Sequence, residues 1–170
     1  MVALDWLGYL IEWIGKLFPR VALIRATQGG VKFKWGRKVV EVKPGITIYW
    51  PIVTELVTVP TVRQSFNVVT QSLQTKDGVP VAAGVVLIYY VADVLISLSK
   101  THNVEEVVSD VAQTSLYEFV SKRTLDEIQR DEHGLTRIAQ RKLRKYGIRV
   151  KQVGFTDFTQ CRAINLIGNK

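Results

Sequence analysis

The order of hydrophobic periodicities along these 170 residues predicts an α+β fold. Three observations carry that reading. Between Val21 and Val91 apolar residues recur with a period of two. From Ala92 to Tyr146 the period changes to that of a helix, and over residues 148–155 the period of two returns. An amphipathic helix with a very wide apolar face precedes all three.

That helix is read over residues 2–18, VALDWLGYLIEWIGKLF. At about 100° per residue, Asp5, Gly8, Glu12, Gly15 and Lys16 share one narrow arc. Ala3, Trp6, Leu7, Leu10, Trp13, Ile14, Leu17 and Phe18 occupy the opposite side, an apolar face wider than a surface helix of a soluble domain carries. Pro19 stops the helix. Its length of roughly 25 Å falls slightly short of a hydrocarbon core, and two acids interrupt it. It also lacks the basic start and small-residue cleavage site of a signal peptide. The expectation is an in-plane or shallowly re-entrant membrane anchor in which those eight apolar residues insert, with Trp6 and Trp13 at the headgroup boundary. The alternative is a helix packed on its own domain or on a neighbouring subunit.

The β-rich part begins after Pro19. Val31, Phe33 and Trp35 alternate with Lys32 and Lys34, the pattern of a half-buried strand. Pro44-Gly45 separates strands at Val39–Val42 and Ile46–Trp50. Lys76-Asp77-Gly78 forms a second turn and leads into VPVAAGVVLIYYV, residues 79–91. That run is β-branched and too short to span a membrane as a helix, so it reads as a central strand covered on both faces.

In the helical part, Asn103 with Glu106 and Thr124 with Glu127 have the spacing of capping boxes. Val104, Val107, Val108, Val111, Ala112, Ser115, Leu116, Phe119 and Val120 form a regular buried stripe between them. Leu125, Ile128, Leu135, Ile138, Ala139, Leu143 and Tyr146 mark a following helix, stopped at Gly147. IRVKQVGF, residues 148–155, supplies the last strand. With no break in composition across residues 20–160, the chain divides into an anchor (1–19), one domain (20–158) and a short tail (159–170).

The net charge is +8, with 47% apolar and 22% charged residues, which places the chain among globular proteins. Two zones hold most of the positive charge. One contains Arg20, Arg25, Lys32, Lys34, Arg37, Lys38 and Lys43 against Glu41 alone. The other contains Arg137, Arg141, Lys142, Arg144, Lys145, Arg149 and Lys151 with no acid among them. Such fields attract polyanions, whether lipid headgroups or nucleic acid. No helix-turn-helix, zinc-finger or aromatic RNA-binding signature accompanies them, so nucleic acid is not the expected partner. Lys16, Arg20, Arg25, Lys32 and Lys34, on and after the anchor, are the candidate headgroup-binding residues.

No catalytic pattern emerges. Glu105-Glu106, Asp126-Glu127 and Asp131-Glu132 are adjacent pairs early in helices, where they complement the dipole, and neighbours on a helix diverge by about 100°. Phosphate-loop, dinucleotide-binding and nucleophile-elbow patterns are all missing. His102, His133 and the single cysteine, Cys161, lack metal-ligand spacing, and one cysteine forms no intrachain disulfide. No catalytic residue, metal or cofactor is expected.

The stretches VKPGITIYWP (42–51), VPTVRQSFNV (59–68), TKDGVPV (75–81) and YYVAD (89–93) resemble the band 7 domain of the stomatin–prohibitin–flotillin superfamily. VVSDVAQTSLYEFVSKRTLDEI (107–128) and the spaced residues L…GI…V…V…D (143–157) agree with it. The resemblance covers roughly residues 20–158. It implies a mostly antiparallel sheet, packed helices and a final strand behind an N-terminal amphipathic membrane helix. It further implies a non-catalytic scaffold on a membrane, assembling with copies of itself, and the basic residues directly after the anchor favour the cytoplasmic face. Such a scaffold organises lipids or a membrane protease or channel. These residues carry no heptad region after the domain, so cages that depend on a coiled coil are not expected of them. That departure keeps a second expectation open: a structural subunit, viral for example, whose N-terminal helix packs against other subunits.

Overall fold

The computed structural model of the chain describes residues 18–36 and 38–161. The helix read over residues 2–18 therefore lies, apart from Phe18, outside the described residues, as do Arg37 and residues 162–170. Within the described residues the fold is α+β, and all strand pairing is antiparallel. The stretch 20–158, uniform in composition, forms parts of two compact units. One comprises the residues up to Val62 with Asp93–His102, the other Arg63–Ala92 with the residues from Asn103 onward. Composition does not mark the division because both units are built from the same alternating strands.

In the first unit β1 (Arg20–Ile24) pairs only with β4 (Gly45–Tyr49). The other sheet places β2 (Gln28–Lys34) between β3 (Lys38–Val42) and β5 (Thr54–Pro60). Val31, at the middle of β2, is fully buried opposite Val57. The Pro44-Gly45 turn connects two strands as expected, but they belong to different sheets. The alternation that ended on Trp35 stops one residue earlier. Trp35 has φ 53° and donates its N–H to Val53 O at 2.9 Å. The chain has three residues in which to bring Lys38 opposite Lys34, and left-handed backbone achieves the reversal.

A helix that the periodicity did not separate, α1 (Val94–Lys100), packs on β2 and β3. Asp93 caps it by accepting from Ile96 N at 2.8 Å. At seven residues it is barely two turns long. Coming directly after an apolar strand, it left no periodicity of its own.

In the second unit β7 (Pro80–Val91) lies between β6 (Gln64–Gln74) and β8 (Ile148–Gln160). β7 is the central strand that its apolar run predicts. Covering on both faces is only half met. Val81, Ala83, Val85, Leu87, Tyr89 and Val91 are buried, whereas Ala82, Val86, Ile88 and Tyr90 on the other face are half-buried. β8 extends beyond residue 155 to Gln160, with two register shifts along its pairing to β7.

The buried face of this sheet carries α2 (Val104–Ser121), which lies over β6 and β7, and α4 (Gly134–Leu143), which lies over β8 and packs on α2. Between them runs α3 (Leu125–Arg130). The predicted stripe of α2 is buried except Val107 and Val111, which are half-buried. Thr124 and Glu127 form the reciprocal capping box. Asn103 is the N-cap of α2, but its side chain accepts from Glu105 N at 3.0 Å, one residue short of the box spacing.

The single helix read from Leu125 to Tyr146 is in fact α3, α4 and a 3-10 turn, Arg144–Tyr146. The break falls at Asp131–His133, where Asp131 ends α3 and binds Arg137 at 2.8 Å. Asp131 is thus a C-cap and ion-pair centre, not the dipole-complementing acid its position seemed to make it. Gly147, at φ 73°, ends the 3-10 turn as expected of a helix stop.

Gly134 begins α4 where the chain passes against Phe119. A Cβ there would lie 2.6 Å from Phe119 Cε2 and would overlap the Asp131 carboxylate. Gly134→Ala should therefore lower stability by about 1–3 kcal/mol, despite alanine's better helix propensity. Denaturant midpoints of the two proteins test this, and an equal or higher midpoint for the variant refutes the packing argument.

Candidate functional site

The most unusual surface of the first unit is the β1–β4 ribbon. Pairing puts Val21 opposite Ile48 and Leu23 opposite Ile46, so all four side chains share one face. Their exposures are 67%, 63%, 71% and 77% in that order. The reverse face carries Arg20 with Tyr49 and Ala22 with Thr47. It ends on Ile24, which is buried with its Cδ1 beside Gly30. Two-stranded ribbons are marginal on their own, and the anchoring of Ile24 holds this one with its apolar side outward.

More apolar surface adjoins the ribbon. Phe18, Trp35, Trp50 and Ile52 are all exposed. Trp35 sits at the tip of the β2–β3 hairpin in left-handed backbone, a conformation a bulky side chain adopts only at some expense. A cleft of about 460 Å³ is lined by Pro19, Lys32, Lys34, Trp35, Tyr49 and Trp50, among others. Aromatic rings and ammonium groups thus share one rim.

The candidate headgroup residues are only partly gathered here. Lys32 and Lys34 line the cleft. Lys32 is half-buried and its ammonium donates to Ile48 O at 2.8 Å, which fixes it beside the apolar face. Arg20, exposed, stands next to the cleft through its pairing with Tyr49, on the opposite side of the ribbon from Val21. Arg25 is exposed beyond the far end of β1. Of the predicted membrane-inserting residues, Phe18 is exposed. Ala3, Trp6, Leu7, Leu10, Trp13, Ile14 and Leu17, together with Lys16, lie outside the described residues.

Sequence reasoning overlooked Val21, Leu23, Ile46 and Ile48. Their alternation was visible, but alternation identifies one apolar face without saying whether it points into a core. Trp35 and Trp50, flanked by lysine and proline, were the sharper signal.

Part of the second basic zone is compensated. Glu118 on α2 receives Lys142 at 2.7 Å, Lys122 at 3.2 Å and Arg141 at 3.9 Å, while Asp131 binds Arg137. Hydrogen bonds from Lys142 and Lys122 hold the Glu118 carboxyl down to about 2. Elsewhere, burial, aided by the nearby charge of Glu105, pushes the Tyr89 hydroxyl above its usual value; Tyr89 donates to Gln64 Oε1 at 2.8 Å. Thr75 donates to Asp77 in the turn before β7 and lowers that carboxyl. Among the described residues no group of three or more His, Cys, Asp or Glu side chains is arranged to hold a metal. Cys161 is half-buried. No helix among the described residues is long and apolar enough to cross a membrane.

A family model described as SPFH domain / Band 7 family matches residues 22–165. The chain belongs to the SPFH domain / Band 7 family. This band 7 chain is 29% identical over 156 residues to an uncharacterised protein of Archaeoglobus fulgidus, covering 89% of the chain and 63% of that relative. It is 26% identical over 169 residues to stomatin-3 of Caenorhabditis elegans, covering 94% of the chain and 63% of stomatin-3. A stomatin homologue of Pyrococcus horikoshii is 29% identical over 145 residues, 83% of the chain and 54% of the relative. The chain therefore spans somewhat over half the length of these relatives.

Glu118→Gln should cost about 1 kcal/mol at neutral pH, since the ion pairs are only partly shielded from water. A carboxyl depressed in the folded state stabilises above its unfolded value and loses that effect as pH falls through its folded value. The difference in stability between wild type and variant should hold down to about pH 4.5 and vanish as the pH approaches 2. Thermal melts of both proteins across that range check it. A pH-independent difference sinks the assignment.

Proposed function

We propose that this band 7 chain is a non-catalytic scaffold that sits on an anionic membrane surface and homo-oligomerises there. In this reading it organises lipids or a membrane-protein partner such as a protease or channel. One observation carries the membrane part: a ribbon face of four exposed aliphatic side chains beside exposed tryptophans and a lysine-lined rim. Soluble surfaces seldom leave so much contiguous apolar area in water. Tryptophan favours the headgroup layer and lysine favours anionic headgroups, at about 1 kcal/mol per basic side chain near the surface. Full transfer of each aliphatic side chain out of water adds roughly 1.5–3 kcal/mol. Residues 2–18, read from their pattern as an in-plane anchor, would enter the membrane directly ahead of the ribbon.

The chemistry of the rim supports lipid over nucleic acid, because its lysines stand among aliphatic and indole groups instead of along a polar groove. The oligomeric part rests on the family.

Flotation with vesicles of mixed zwitterionic and anionic lipid, without detergent, tests the reading. The full chain should float. Leu23→Asp combined with Ile46→Asp should weaken binding at least about tenfold, since two apolar contacts are lost and two charges added. Equal flotation of that variant removes the ribbon from the reading. A full chain that stays unbound but forms a large particle replaces it with a structural subunit of a protein assembly.

A further inference from the structure

Resting on the homo-oligomer reading, the layout of the second unit says which of its surfaces would meet. α2 lies over β6 and α4 lies over β8, so α2 with β6 forms one lateral edge and α4 with β8 the other. The two edges carry opposite charge. Residues 101–121 contain Glu105, Glu106, Asp110 and Glu118 and no lysine or arginine. Glu118 is engaged by its own unit, which leaves Glu105, Glu106 and Asp110 exposed near the start of α2. Glu106, Asp110, Gln113 and Tyr117 follow one another at helical spacing on the face turned away from the core, with Tyr117 60% exposed. Arg63, ahead of β6, subtracts one charge from this edge.

Residues 133–156 contain no acid. Of their bases Arg137, Arg141 and Lys142 are paired internally. Arg144, Arg149 and Lys151 are exposed around the start of β8.

The two patches also stand at one height along the strands. Glu105 acts on Tyr89, whose hydroxyl reaches Gln64 at the start of β6. Tyr89 is in turn the partner of Val150 in β8, one residue from both Arg149 and Lys151. A sideways translation of one copy therefore brings the two edges to one level along the strands. Because Arg149 pairs with Tyr90 and alternates with buried Val150, it faces away from the helices, and the approach also includes a step across the sheet toward α2.

We infer that the second unit binds a second copy of this chain head to tail, the acidic face of α2 in one copy against the basic edge around Arg144, Arg149 and Lys151 in the next. The contact is heterologous, so it propagates and gives a ring or a filament, depending on the rotation per step. It works through side chains and not through an added strand. Gln140 Oε1 accepts from Val150 N at 2.8 Å and Thr136 Oγ1 from Val153 N at 3.1 Å, so backbone donors at this end of β8 are already used. Tyr117 supplies an aromatic contact on the acidic side, a residue type favoured in interface cores.

Two charge-reversed full chains test the inference: Glu106→Lys with Asp110→Lys, and Arg149→Glu with Lys151→Glu. Size is read by sedimentation in low-salt buffer and, in parallel, by cross-linking on vesicles of mixed zwitterionic and anionic lipid. Unchanged melting temperatures establish that both fold. The expected result is an assembled wild type, two variants that stay monomeric alone, and an equimolar mixture of the variants that assembles. In the mixture every contact again joins opposite charges. If the wild type assembles and either variant assembles equally well alone, these edges are not the interface, while the oligomeric reading survives. If both variants are monomeric and their mixture is too, the edges are not each other's partners and the inference falls. A wild type that is monomeric in both settings removes the oligomeric reading and this contact with it.

Discussion

The second unit depends on keeping one face of β7 dry. That strand is paired along both edges, so its backbone is satisfied within the sheet and only its side chains need cover. Val81, Ala83, Val85 and Leu87 are wholly inaccessible, as are Leu116, Phe119, Val120 and Leu143 from the helices above them. Removing any one of the larger side chains would leave a cavity that costs several kcal/mol, of order 2–5 for leucine to alanine. The helical layer is held in place by local polar bonds, not by further burial. The Thr124–Glu127 box starts α3, the glycine at 134 lets α4 approach Phe119, and Gln140 and Thr136 tie α4 to the bulged edge of β8. Hydrophobic burial supplies the energy, and these few bonds select which packing is adopted.

The first unit solves the opposite problem. Its ribbon pairs two short strands of high β-propensity and directs the more apolar face outward. Ile24, buried at the end of the other face, fixes that choice, because turning the ribbon over would expose Ile24 together with the half-buried Ala22 and Tyr49 that share its side. The apolar face therefore stays exposed among the described residues as a consequence of where Ile24 is anchored.

Much of this was legible in the sequence, and the parts that were not have definite physical reasons. β7 was clear because a β-branched run between Lys76-Asp77-Gly78 and Asp93 has few other uses. α2 was clear because its stripe holds the helical period for five turns. The division of the following helix into α3 and α4 was hidden, since the apolar residues keep phase across Asp131–His133, where Asp131 caps the end of α3. α1 was too short to show a period. At the cleft and the surface beside it, charge and position in the sequence had singled out Lys32, Lys34 and Phe18, while Arg25 lies apart. The ribbon face was missed because a period of two reports which residues share a face and says nothing of where that face points.

The same limit applies to charge. A net of +8 describes a basic protein, and residues 137–151 taken alone look like a polyanion-binding helix. In the fold, half of that helix is neutralised by Glu118 and Asp131, which come from α2 and the end of α3. Past Leu143, Arg144, Arg149 and Lys151 are exposed. Acids near the start of α2 are exposed at the other edge of the sheet. A uniform basic surface would repel its own copies and favour a dispersed protein. Separating the surplus acids and bases to opposite edges removes that repulsion along one direction alone. In the proposed assembly, that separation permits close lateral approach between second units of a chain whose net charge is positive.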